Sequence, residues 1–148
     1  MLKRYLLLIV IAVGIVACGK DKLNTNPSIE IKNVSVTDVM PGQETVITLG
    51  YKDKEGDLGG GLITYIRNRT NIKPIPEETL NGKTDTVERI LPDYPKTTSG
   101  DIEVRIENAF MSEDPFDNDT MFFKIFVKDV AGNVSDTVST GTLVDKQL

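Results

Sequence analysis

The sequence predicts an all-β fold, a seven-stranded antiparallel β-sandwich, on three observations. From Ile29 onward, short segments rich in Val, Ile, Thr and Phe alternate apolar with polar residues. Clusters of Gly, Pro, Asn and Asp separate those segments at turn-like intervals. No stretch beyond residue 29 carries a helical period.

The strands are justified in order. Ile29 to Ile31 and Val34 to Val36 alternate with a one-residue slip at Asn33, the signature of a bulge. Thr45 to Tyr51 follows the turn Met40-Pro41-Gly42-Gln43. Leu62 to Arg67 is the third strand and Thr86 to Leu91 the fourth. Ile102, Val104 and Ile106 interleave with Glu103, Arg105 and Glu107, the cleanest amphipathic strand in the chain. Met121 to Lys128 is apolar on both faces for half its length, as a central strand requires. Val134 to Thr140 closes the set after Val130-Ala131-Gly132-Asn133. Seven such strands with turns between them match a sandwich of immunoglobulin-like type, here without its Cys…Trp…Cys core. Phe122, Phe123, Phe126, Tyr51, Tyr65 and the aliphatic residues must fill the interior instead.

Residues 1–17 precede this domain and read as a signal peptide. Lys3 and Arg4 form a positive start, and Tyr5 to Ala17 is an unbroken run of apolar residues and Gly. The run is too short to span a membrane. Ile15-Val16-Ala17-Cys18 then resembles the lipobox of bacterial lipoproteins. The resemblance implies lipidation of Cys18, which becomes the first residue of the mature chain. It also accounts for a lone cysteine in an exported protein. Each buried acyl methylene contributes about 0.8 kcal/mol, so several chains anchor the protein durably. Residues 18–28 form the lipidated Cys and a polar tether, residues 29–145 the sandwich and 146–148 a tail. Gly19, in place of an Asp after the Cys, implies outer-membrane sorting in that family, and Lys20, Asp21 and Lys22 loosely resemble surface-export signals of Bacteroidetes-type lipoproteins. The periplasmic and cell-surface faces both stay open.

Two further segments carry a resemblance. Gly50 to Gly61, with Asp53, Glu55 and Asp57 among glycines, and Phe126 to Ser135 resemble the loops of small Bacteroidetes-type lipoproteins with one immunoglobulin-like domain. That family has no established catalytic activity, so the resemblance supports the fold and says little of function.

Composition excludes several chemistries. The 148 residues contain no His and no Trp, so neither a Ser-His-Asp site nor the usual zinc ligand set can be built. Asp and Glu outnumber Lys and Arg by 22 to 17, a poor balance for binding nucleic acid. A hydrolase built on paired carboxylates would draw on Asp53/Asp57 or Asp114/Asp117. A small sandwich offers it no deep cleft. The sequence therefore predicts no enzyme and no required cofactor. It predicts a lipid-anchored envelope module that binds, spaces or scaffolds an unknown envelope protein or glycan. The alternative is a carbohydrate-binding accessory lipoprotein of a polysaccharide-uptake system, against which the absence of Trp counts.

Asp53, Glu55 and Asp57 stand at alternate positions in a Gly-rich loop, a pattern that supplies oxygens to calcium. It is equally the composition of a solvated acidic turn. Alternating topology puts Lys52 to Gly61, Pro92 to Gly100 and Asp129 to Asn133 at one end, which brings Asp129 toward the other three acids at the tether end of the domain. A structural Ca2+ held by Asp53, Glu55, Asp57 and Asp129 is the resulting expectation. At the opposite end, Phe110, Met111 and Phe116 lie in an acidic loop, either as anchors for a partner or folded back over the core. Thr86, Thr120 and Thr137 each follow Asp and precede an apolar residue, the O-glycosylation pattern of Bacteroidetes-type exported proteins.

Overall fold

The structure is a computed structural model and describes residues 25–73, 85–93, 95–114 and 116–147. The signal segment, Cys18 and most of the predicted tether lie outside these residues. Among the described residues the strands are β1 (Ser28–Val34), β2 (Asp38–Val39), β3 (Glu44–Lys52), β4 (Leu62–Arg69), β5 (Thr86–Ile90), β6 (Ser99–Glu107), β7 (Asp119–Lys128), β8 (Val138–Ser139) and β9 (Leu143–Asp145). One helical turn, α1 (Asn108–Met111), follows β6 and is too short to leave a period in the sequence.

The strands form two sheets. One has the order β1-β3-β6; the other runs β2-β9-β7-β4-β5, with β8 paired to β7. Their inner faces share one core. Ile47 and Leu49 of β3 face Val104 and Ile102 of β6, each pair directly opposite in the ladder. Ile63 and Tyr65 of β4 stand opposite Val127 and Ile125 of β7. Met121, Phe123, Ile125 and Val127 are all fully buried, which makes β7 the central strand of its sheet. Phe110, Tyr65 and Phe123 close the core with ring centroids 6.0–6.4 Å apart.

The bulge in β1 falls between Ile31, opposite Leu49, and Asn33, opposite Thr48. Lys32 is the extra residue, and its ammonium crosses Gly50 to reach Asp101. A Cβ on Gly50 would sit 2.4 Å from Lys32 Cε, so a side chain there would push the lysine stem aside.

Three parts of the fold differ from the sequence expectation, the first being that Phe122 and Phe126, expected in the interior, are half-buried on the opposite face of β7 from its core row. After β1 the chain changes sheets, and β2 pairs in parallel with β9. The predicted last strand, Val134 to Thr140, forms only a bridge at Val134 and the two residues of β8. Its hydroxyls explain the interruption. Ser135 Oγ accepts from Val127 N at 3.0 Å and Thr140 Oγ1 from Phe123 N at 2.9 Å, where a regular ladder would use carbonyls. The chain resumes regular pairing as β9.

Candidate metal centre

Two inward-facing rows run past the apolar core and end in acid. Thr45, Ile47, Leu49 and Tyr51 of β3 are buried, and the next residue of that parity is Asp53. Met121, Phe123, Ile125 and Val127 of β7 are followed in the same way by Asp129. Side chains two apart in a strand share a face, so each carboxylate continues a core row beyond its last apolar residue. Asp53 and Asp129 are both buried, although they come from opposite sheets.

The loop after β3 then folds around Asp53. Its Oδ1 accepts from Glu55 N at 3.3 Å and its Oδ2 from Asp57 N at 2.8 Å. Gly56 reverses the chain at φ +66°, a conformation costly for any residue with a Cβ. On the other side, Asp129 Oδ1 and Oδ2 accept from Asn133 N and Nδ2, both at 2.8 Å. Val130 N donates to Asp57 O at 3.3 Å and links the two loops. The β5–β6 connection joins them, because Asp53 N donates to Thr98 O at 2.9 Å. All three connections predicted to meet do so.

One carboxylate oxygen from each of Asp53, Glu55, Asp57 and Asp129 lies within 4.8 Å of the others. Among the described residues, no Lys or Arg forms an ion pair with any of the four. Asp57 Oδ1 is shielded from solvent and accepts no hydrogen bond from the described residues. Burial, reinforced by the charges of Asp129 and Asp53, holds the Asp57 carboxyl above its ordinary range. The group could hold a metal ion: four hard oxygens converge and their mutual repulsion is relieved by a cation. The described chain begins at this end, with Thr25 Oγ1 3.4 Å from Asn133 Oδ1.

The opposite end corrects one expectation. Met111 and Phe110 are not free anchors for a partner. The α1 turn folds them back, burying Met111 fully and packing Phe110 on Tyr65 and Phe123. Phe116 alone of the three is exposed. Of the threonines, Thr86 and Thr137 are exposed, whereas Thr120 is half-buried with its N–H bound to Asn71 Oδ1 at 3.0 Å.

The same end holds a buried ionic network absent from the sequence expectations. Arg67 Nε bonds Asp85 at 3.0 Å, and its other nitrogens reach Glu113 and the Phe110 carbonyl. Arg69 bridges Asp85 and Glu113 at 2.9 and 3.0 Å. The Arg67 guanidinium also lies 4.7 Å from the Phe110 ring centroid. Parity was the available signal, since Arg67 continues the inward row Ile63, Tyr65.

Comparison of the chain with protein-family models, curated proteins and solved structures finds no match.

Proposed function

We propose that the chain is a lipid-anchored, non-catalytic module of a bacterial cell envelope, moored through Cys18 at the outer membrane. Its immunoglobulin-like sandwich carries a structural calcium site at the tether-proximal end. The strand order supports the immunoglobulin-like reading. The first, second and fifth principal strands (β1, β3, β6) share one sheet, while β4 and β7 lie side by side in the other. The lipobox-like Ile15 to Cys18 supports the anchor, and the lack of imidazole supports a role in contact rather than chemistry.

The observation that carries the calcium reading is the convergence of Asp53, Glu55, Asp57 and Asp129 from two separate connections, two of them buried. Calcium accepts such a set because it tolerates irregular geometry and completes its shell with carbonyls and water. The role is to pin the loops at the end where the tether arrives.

Calorimetric titration with CaCl2 and thermal melting test this. Calcium at one hundred times its Kd is expected to add about 2.7 kcal/mol of stability. Asp129→Asn is expected to abolish that gain. Neither heat of binding nor a rise in Tm at millimolar calcium would remove the metal from the proposal. The anchor is tested separately: cells fed labelled palmitate are expected to label the chain, and Cys18→Ala to lose the label. An unlabelled wild-type chain would end the lipoprotein reading.

A further inference from the structure

We propose that Asp119 and Asp145 form a proton-holding pair at the tether-distal end, in which Asp145 carries the proton and its release loosens the C-terminal strand. The two residues stand directly opposite each other where β7 begins and β9 ends. Opposed residues of antiparallel strands point to the same face with Cβ atoms about 5 Å apart. Both side chains are wholly buried. Two carboxylates so placed cannot both ionise without a large cost.

The hydrogen-bond partners decide which one holds the proton. Asp119 Oδ2 accepts from the backbone N–H groups of Glu113 and Asp114 at 2.6 and 2.9 Å, and Oδ1 accepts from Asn71 Nδ2 at 2.7 Å. A backbone N–H cannot become an acceptor, and the Asn71 amide is fixed because its own Oδ1 accepts from Thr120 N at 3.0 Å, so neither oxygen of Asp119 faces an acceptor for a proton. Asp145 is bonded instead by the side chains of Asn108, Gln147 and Ser112, with Gln147 Nε2 at 2.8 Å. Amides and hydroxyls can turn an oxygen toward a proton. Burial, then the charge of Asp119, pushes the Asp145 carboxyl up from its ordinary range.

The surrounding charges are engaged elsewhere. Glu113 is held by Arg67 and Arg69, which also bind Asp85. Asp114 accepts from Phe116 N and Asp117 N, and Asp117 pairs with Lys73. On the neighbouring β2, Asp38 pairs with Lys146 at 3.2 Å. Among the described residues no cation therefore bonds either member of the pair.

Because the fold binds this proton more tightly than the unfolded chain does, the stabilisation is complete in acid. It is lost as pH rises through the folded value of Asp145. The segments released are those the pair ties together: β9 with Gln147, and the loop after α1.

Side-chain carboxyl NMR of the full chain between pH 3 and 9 tests the assignment. Asp145 is expected to titrate above the ordinary aspartate range, and the amides of Glu113, Asp114 and Gln147 to lose exchange protection over the same interval. Asp145→Asn is expected to flatten that loss. Titration of Asp145 in the ordinary range, or an Asn variant that keeps the wild-type protection profile, would overturn the proposal. If the variant fails to fold, the carboxyl titration of the unsubstituted chain decides alone.

Discussion

Replacing Arg67 with Ala is expected to cost the fold about 3–5 kcal/mol, read as a lower midpoint in urea denaturation. The guanidinium is almost wholly enclosed at an inward position of β4, and it bonds Glu113, Asp85 and the Phe110 carbonyl. Truncation leaves Glu113, whose side chain is fully buried, with Arg69 as its remaining cation among the described residues. A buried carboxylate that has lost one of its two guanidinium partners dominates that cost, so removing both charges is cheaper than removing one. Arg67→Met combined with Glu113→Leu is expected to recover part of the loss, which a double-mutant cycle measures. Lys32→Ala supplies the contrast. Its partner Asp101 is also half-exposed, and solvent screens the pair, so the midpoint is expected to stay near wild type. If Arg67→Ala were as mild as Lys32→Ala, the network would be a surface feature rather than part of the core.

How far such features can be read in advance follows from parity. The inward row of β6 is visible as alternation and β7 as a segment apolar on both faces, and the segments expected for β3, β6 and β7 lie within a few residues of the observed strands. Part of the acidic cluster is legible by the same rule, because Asp53 and Asp129 prolong the inward rows of β3 and β7 by one step. Parity also carries Arg67, Asp119 and Asp145 inward, yet a charged residue at a strand end ordinarily marks the turn to solvent. Only the partners reveal otherwise, and they come from distant segments: Glu113 for Arg67, Asn71 for Asp119, Asn108 for Asp145. β2 escaped for a different reason. Two residues pairing in parallel with the C-terminal strand leave no pattern to detect. Phe110 and Met111 were ambiguous because an aromatic in a polar loop reads alike whether it faces a partner or the core; the single turn of α1 settles it.

The glycine beside the acidic cluster makes the fold and the proposed calcium site one test. Gly61 lies where the loop after β3 enters β4, against the last residue of β7. A Cβ there would fall 2.3 Å from Lys128 O and 2.9 Å from Leu58 O. Both obstacles are backbone, so no rotamer change relieves them, and the two chains must separate. Gly61→Ala is expected to destabilise the domain by about 3 kcal/mol through this overpacking, read as a lower Tm. The displacement has a direction. Leu91 N donates to Gly61 O at 2.8 Å and Gly61 N to Leu58 O at 3.0 Å, so the loop that carries Asp57 moves with it. Lys128 adjoins Asp129, and moving these apart widens the gap between Asp57 and Asp129 that the Val130–Asp57 hydrogen bond closes. Calcium-dependent stabilisation is therefore expected to weaken in Gly61→Ala, although no carboxylate has been touched. Gly141→Ala is the matched control: like Gly61 it lacks a positive φ, but a Cβ there meets no atom within 4 Å, and it lies between β8 and β9. Equal calcium responses in the two variants would show that the close approach at Gly61 does not hold the acidic loops together.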